Sequence, residues 1–282
     1  MRYLLIMICF TFTNVVAQKK WPLATQTWTF HKHTLLETID KADSLGIQYL
    51  EAFPGQLVGN GYNGKFTYTL SADERARLKT HLKNKGINIV AMGVLDKWFY
   101  NADNLEKFFV FANEMGISFI TAEPEWADLD RFNELAEKYK VKVGLHCHPK
   151  PESHYWQPDS MRVALQGRRY IGAWPDIGHW ARSGVNIQQG IKKLKKKMWG
   201  MHFKDVQQFD NIKTADTFFG EGVCNLPAVI KQLKKMNFKG VITMEYEVYE
   251  NNMPAMYKNR RYVENLLMRW YPKFAVAFLE KF

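Results

Sequence analysis

Cysteine is nearly absent from this 282-residue chain. Cys9, Cys147 and Cys224 are its only three, far apart and without a CxxC pair, which excludes a disulfide framework. Cys147 sits between two histidines, yet alternation along a strand points it away from both, as a buried structural thiol. No GxGxxG occurs, so the glycine-rich first turn of a doubly wound, dinucleotide-binding sheet is missing. After residue 18 there is neither a low-complexity linker nor a break in composition, which argues for one domain. The apolar stretch at residues 4–12 is too short to cross a bilayer as a helix.

That stretch instead reads as part of a secretory leader. Arg2 supplies a positive start and Val15-Val16-Ala17 a small-residue cleavage site. The expected mature chain begins near Gln18 and is periplasmic or secreted, with a signal peptide at 1–17 and one domain over 18–282. No cysteine follows the cleavage site, so neither a lipid anchor nor another membrane attachment is expected.

Hydrophobic residues make up 46% and aromatic ones 15%, enough for the large core of a single barrel of this length. Lysine and arginine outnumber the acids 39 to 28, a formal charge of +11. Much of the excess lies in Lys192 to Lys197 and Lys231 to Lys239. These read as solvated outer helix faces, with Leu194 and Leu233 packing inward.

Short β-type runs alternate with amphipathic stretches along the chain. The runs cover 23–30, 49–53, 87–94, 118–122, 141–146, 170–176, 198–203 and 241–245. Residues 34–45 and 72–85 have helical periodicity, the second opening on Ser71 with Glu74 three residues later. Gly46, Gly86 and Gly116 close helices, each followed by a new β-run. Eight such units predict an α/β fold, the (β/α)8 TIM barrel, whose chemistry sits at the C-terminal strand ends.

Glu51, Glu123, His146, Asp176, His202 and Glu245 all fall at those ends. Glu123, Asp176, His202 and Glu245 together form an oxygen-rich set suited to one divalent cation. Around them, Asp176-Ile-Gly-His179 adds a histidine three residues on. His146-Cys-His148, His202-Phe-Lys204 and Glu245-Tyr-Glu247 each place two polar groups on one side of an extended segment.

Four segments carry a family resemblance: residues 145–151 (LHCHPKP), 175–184 (PDIGHWARSG), 201–205 (MHFKD) and 244–247 (MEYE). In them the chain resembles the xylose isomerase-like barrel superfamily of sugar isomerases and epimerases, which includes inosose dehydratases and endonuclease IV. The resemblance implies a single Mn²⁺, Mg²⁺, Co²⁺ or Zn²⁺ held by Glu123, Asp176, His202 and Glu245. It implies a small sugar as substrate, with His179 touching substrate or lining the metal site. Glu51, His146 and Lys204 would bind substrate or move protons. The third strand ends without a histidine, and Asp216-Thr-Phe218 stands where an aspartate–x–histidine pair would be needed. A three-metal nuclease site and a nucleic-acid partner are therefore not expected. The acid in Gly220-Glu-Gly222 makes that loop a poor anion nest, so an unphosphorylated sugar is expected.

In such an enzyme Glu123 and Glu245 would face opposite sides of a keto sugar. One would remove the proton next to the carbonyl and the other return it through a metal-stabilised enediolate. Elimination is the other outcome, giving a hydratase or dehydratase, with His146, His148, His179 or Lys204 as acid for the departing oxygen. An inactive carbohydrate-binding barrel is the third reading. Among rim aromatics, Trp28 and Trp180 are the expected pocket walls, and His148 an expected substrate contact. Oligomeric state stays open.

Overall fold

Each of the eight expected β-runs contributes a parallel strand in the computed structural model, which describes residues 21–248 and 252–270. The expected leader at 1–17 lies outside the described residues. The strands are β1 (Leu23–Gln26), β2 (Tyr49–Ala52), β3 (Asn88–Leu95), β4 (Phe119–Ala122), β5 (Lys142–Leu145), β6 (Ile171–Ala173), β7 (Gly200–Phe203) and β8 (Val241–Met244). Helices α1 (Leu35–Ser44), α2 (Ala72–Lys85), α3 (Leu105–Met115), α4 (Leu129–Tyr139) and α5 (Pro158–Ala164) alternate with them. After β6 come two, α6 (Ile177–Arg182) and α7 (Ile187–Leu194), then α8 (Leu226–Lys235) and α9 (Asn252–Trp270).

The strands pair in the order β6-β5-β4-β3-β2-β1-β8-β7. Isolated parallel bridges, Ala173 to Met198 and Asp176 to His202, close the seam between β6 and β7. The result is the (β/α)8 barrel the alternation predicts. Local signals hold at the helix starts, where Thr34 with Glu37 and Ser71 with Glu74 both form capping boxes. The first strand is shorter than its apolar run. The Gln26 side chain accepts the Trp28 N–H and turns residues Thr27–Phe30 into a 3₁₀ segment.

Packing divides into two shells. The larger lies between strands and helices and takes in Leu50, Ile120, Val143, Cys147 and Phe203. The smaller fills the barrel: Ala24, Ala91, Trp174 and Val241. Trp174 is fully buried there, and its ring needs glycine on both flanking strands. A Cβ on Gly144 would lie 2.8 Å from the indole, and one on Gly200 would lie closer still. Truncating a core tryptophan of this kind typically costs about 3–5 kcal/mol. The plug closes the lower barrel and leaves the C-terminal end for polar groups.

Candidate metal and substrate site

Strand alternation carries the polar groups above this plug. Gly144, His146 and His148 follow one another inward along the end of β5, and Gly200, His202 and Lys204 along β7. Trp174 and Asp176 do the same after β6, and Thr243, Glu245 and Glu247 at β8. Cys147, one residue out of phase with its histidines, is buried in the outer shell as a free thiol.

Two carboxylate–imidazole pairs meet at the centre. The fully buried Glu51 accepts hydrogen bonds from Thr121 Oγ1 (2.6 Å) and Thr243 Oγ1 (2.8 Å) and pairs with His202 Nε2 at 2.9 Å. Glu123 pairs with His146 Nδ1 at 2.8 Å. The remaining nitrogens, His146 Nε2 and His202 Nδ1, then face each other at 3.2 Å. Glu245 Oε2 lies 2.9 Å and Asp176 Oδ2 3.7 Å from that His202 nitrogen. Asp176 Oδ1 caps α6 by accepting from His179 N, whereas the buried Oδ2 faces the Lys204 ammonium at 3.1 Å.

Such a donor set fits a metal. Two ligands about 2.0–2.1 Å from a tetrahedral ion are about 3.3 Å apart, close to the spacings here. Carboxylates backing the far nitrogens are the usual outer partners of metal-binding histidines. The candidate ligands are therefore His146, Asp176 and His202, with Glu245, expected as a ligand, beside His202.

His146 is shared by two groups able to hold a metal, one with Asp176 and His202 and the other with His148 and the expected ligand Glu123, which touches the far nitrogen of the His146 ring. One sequence expectation needs correction: Glu51, expected to bind substrate, is sealed beneath His202 and orients that ring. That depth was not readable from strand ends, since neighbouring strands stagger and strand position alone does not give depth in the barrel.

Lys204 is buried with Nζ 3.1 Å from Asp176, 3.2 Å from Glu245 and 3.3 Å from Glu247. Burial opposes its charge, but these acids outweigh it and hold the ammonium well above the usual lysine range. Glu245 is also disfavoured by burial, yet Lys204 and His202 keep it well below the usual carboxylate range. Arg182 Nη1 donates to His179 Nδ1 (3.1 Å), so the His179 proton sits on Nε2. Burial, with Lys204, His148 and Arg182 nearby, pushes His179 well down and leaves it neutral.

His148 is different, for its Nδ1 lies 2.6 Å from Glu123 and its side chain is 36% exposed. Burial works against the charged ring, but the charge and hydrogen bond of Glu123 prevail and push it up to about 9. Because this lies above the unfolded value of about 6.5, the pair stabilises the fold fully below pH ~6.5. That contribution fades as pH rises through about 9. In metal-free protein, an NMR titration of the His148 ring is expected to centre near 9 and to drop toward the ordinary value in Glu123→Gln. An unchanged midpoint in the variant would sink this account of the shift.

The groups border a cavity of about 210 Å³. Its lining combines the ionisable His146, His148, His179, His202, Glu245 and Glu247 with the aromatic Trp28, Phe53 and Phe99. Trp28 is thus placed at the cavity as expected, but Trp180 is not. Its ring is fully buried against Gly190 and Pro158, filling the barrel's outer shell instead. Asp96, just past β3, also lines the cavity and was missed, although an acid at a strand end was the available signal. Beside the site, the Gly220–Gly222 loop already holds an anion of its own. The N–H groups of Val206, Gly220, Gly222 and Cys224 all donate to the Asp205 carboxylate, at 2.9–3.2 Å.

Comparison with known proteins places this geometry. A family model described as xylose isomerase-like TIM barrel matches residues 39–266. An inosose dehydratase of Mesomycoplasma hyopneumoniae is 22% identical over 134 residues, 42% of this chain and 45% of that protein. The match thus spans about half the length of that curated relative. A crystal structure of an uncharacterised protein from Parabacteroides distasonis is 33% identical, with TM-score 0.71 over 87% of this chain and 98% of that one. The structure of the IolI protein with a bound zinc atom superposes with TM-score 0.71 at 16% identity, over 88% of this chain and 98% of that one.

Proposed function

Because the chain belongs to the xylose isomerase-like TIM barrel family, whose members include isomerases, epimerases and dehydratases, we propose a metal-dependent enzyme that enolises a small polyhydroxylated ketone. The observation that carries this reading is the pair of carboxylate-backed nitrogens 3.2 Å apart, with Asp176 Oδ2 3.7 Å from one of them. A divalent cation held by His146, Asp176, His202 and Glu245 would polarise the ketone and offset the negative charge left when the neighbouring proton departs. Two imidazoles and two carboxylates suit Zn²⁺, Co²⁺ or Mn²⁺ better than Mg²⁺.

The chain's own groups divide the remaining work. Glu245 is committed to His202 and Lys204, and of the two other carboxylates that line the cavity, Glu247 and Asp96, Glu247 lies on the same strand end as Glu245. Lys204 positions Glu247, and so does the backbone N–H that donates to Asp216 Oδ2 at 2.8 Å. Glu247 takes the carbon-bound proton. His148, on the same cavity and charged near neutral pH, donates a proton to a departing hydroxyl and releases it as water. Trp28 and Phe53 give the sugar ring an apolar face to lie on.

This division favours elimination over epimerisation. Epimerisation needs matched groups on both faces of the carbon, and Glu123, the expected partner of Glu245, is spent on two imidazoles. A base and an unlike acid suit loss of water. The substrate is taken as unphosphorylated, since Asp205 already fills the Gly220–Gly222 loop. Export to the periplasm or beyond belongs to the same proposal and rests on the leader-like residues 1–17.

The test is incubation of metal-loaded protein with a panel of keto sugars and cyclic polyol ketones in D₂O, followed by mass spectrometry and NMR. Metal-dependent loss of one water is the expected result. Deuterium next to the carbonyl without mass loss would establish the isomerase or epimerase outcome instead. No exchange and no mass change across the panel would defeat enolisation itself.

A further inference from the structure

The cavity of about 210 Å³ is smaller than the ~300–1,000 Å³ of drug-sized sites, so it admits one sugar ring and little else. Anything attached to that ring must leave across the rim. Two rim loops there carry tryptophans turned to solvent. Trp98, between the cavity-lining Asp96 and Phe99, is 82% exposed, and Trp126, just after β4, is 42% exposed.

These loops are braced rather than loose. The Tyr100 hydroxyl donates to Asp128 Oδ2 (2.9 Å) and accepts from Glu125 N (3.0 Å), tying the loop after β3 to the loop after β4. Tyr155 supports the second loop from behind. Its hydroxyl donates to the Pro124 carbonyl, and its ring lies 5.3 Å from that of Trp126. Beside Trp126 stands the exposed pair His154 and Glu125, at 3.0 Å. Flat aromatic faces interleaved with exposed hydrogen-bonding groups are what a pyranose ring presents its C–H face and hydroxyls to. The Tyr100 bridge holds the loops that carry the two indoles together beside a cavity with room for one ring.

We propose that Trp98 and Trp126 form a subsite for a second sugar ring, so that the substrate is a glycoside whose keto ring enters the cavity while its partner ring stacks on the rim. The proposal rests on the enolisation reading for the inner ring. It assigns the outer ring to binding alone.

Metal-loaded wild type, Trp98→Ala, Trp126→Ala and the double variant are titrated with glucose and with cellobiose, maltose, sucrose and trehalose. Calorimetry gives the affinities, and circular dichroism checks folding. The expected result is at least one disaccharide bound about tenfold or more tighter than glucose, with that ratio collapsing toward one in the double variant. A wild-type ratio near one, or a ratio the substitutions leave unaltered, overturns the subsite. Self-association of wild type that the double variant loses, seen by sedimentation without a change in the ratio, also overturns it and makes the rim a contact between copies. The D₂O experiment with free ketoses is scored separately. Exchange or water loss with a flat ratio removes the rim and leaves enolisation standing, and a raised ratio without turnover does the reverse.

Discussion

Replacing His146 with alanine is expected to abolish stoichiometric binding of a divalent metal, whereas Glu123→Gln should weaken it by only about 10–100-fold. The difference follows from position. His146 Nε2 points at His202 Nδ1 from 3.2 Å, and Glu123 touches the other nitrogen of the same ring. Removing the imidazole takes away a donor atom. Removing the charge of Glu123 leaves the donor in place and costs its orientation and basicity. Metal content after dialysis, by mass spectrometry, and calorimetric titration with Zn²⁺ and Mg²⁺ distinguish the two. Full metal retention in His146→Ala with loss in Glu123→Gln would return Glu123 to the ligand set. Wild-type preference for Mg²⁺ over Zn²⁺ would contradict the two-imidazole site as well.

Glu247→Gln is expected to lower proton exchange and water loss by about 10²–10⁴-fold while leaving metal content intact. Glu245→Gln should lose both, because Glu245 is a proposed ligand and lies 2.9 Å from His202 Nδ1. The two glutamates are two residues apart on one strand end and share Lys204, but only Glu245 pairs with His202, whereas Glu247 faces Arg182 and is more exposed. Measured together in D₂O, kcat and bound metal separate a proton acceptor from a ligand. Equal loss of metal in both variants would merge their roles. Normal exchange in Glu247→Gln would move the base elsewhere, with Asp96, which also lines the cavity, the next carboxylate to test.

Strand and helix periodicity made the barrel legible because both are local properties of the chain. Capping at Ser71 and the inward phase of His146, His148, His202 and Lys204 could be read in the same way. Cys147 was readable for the same reason, falling on the opposite parity from its neighbours. Trp180 was not. A tryptophan one residue after a site histidine suggests a pocket wall, but in α6 that single step turns the side chain about 100° and drives it into the outer shell. Asp96 escaped notice because β3 runs longer than its apolar pattern suggested, ending at Leu95.

The amino-acid sequence by itself determined which groups reach the C-terminal rim: alternation and chain order carry Glu51, Glu123, His146, Asp176, His202 and Glu245 to neighbouring strand ends. What only the tertiary structure decided is how deep each one sits and which atom it turns to the centre. That depends on strand stagger, on the Trp174 plug beneath, and on hydrogen bonds between residues as far apart as Glu51 and Thr243. Two carboxylates that look equivalent at strand ends thereby end up behind histidines, and the two imidazoles they orient take the positions facing the cavity.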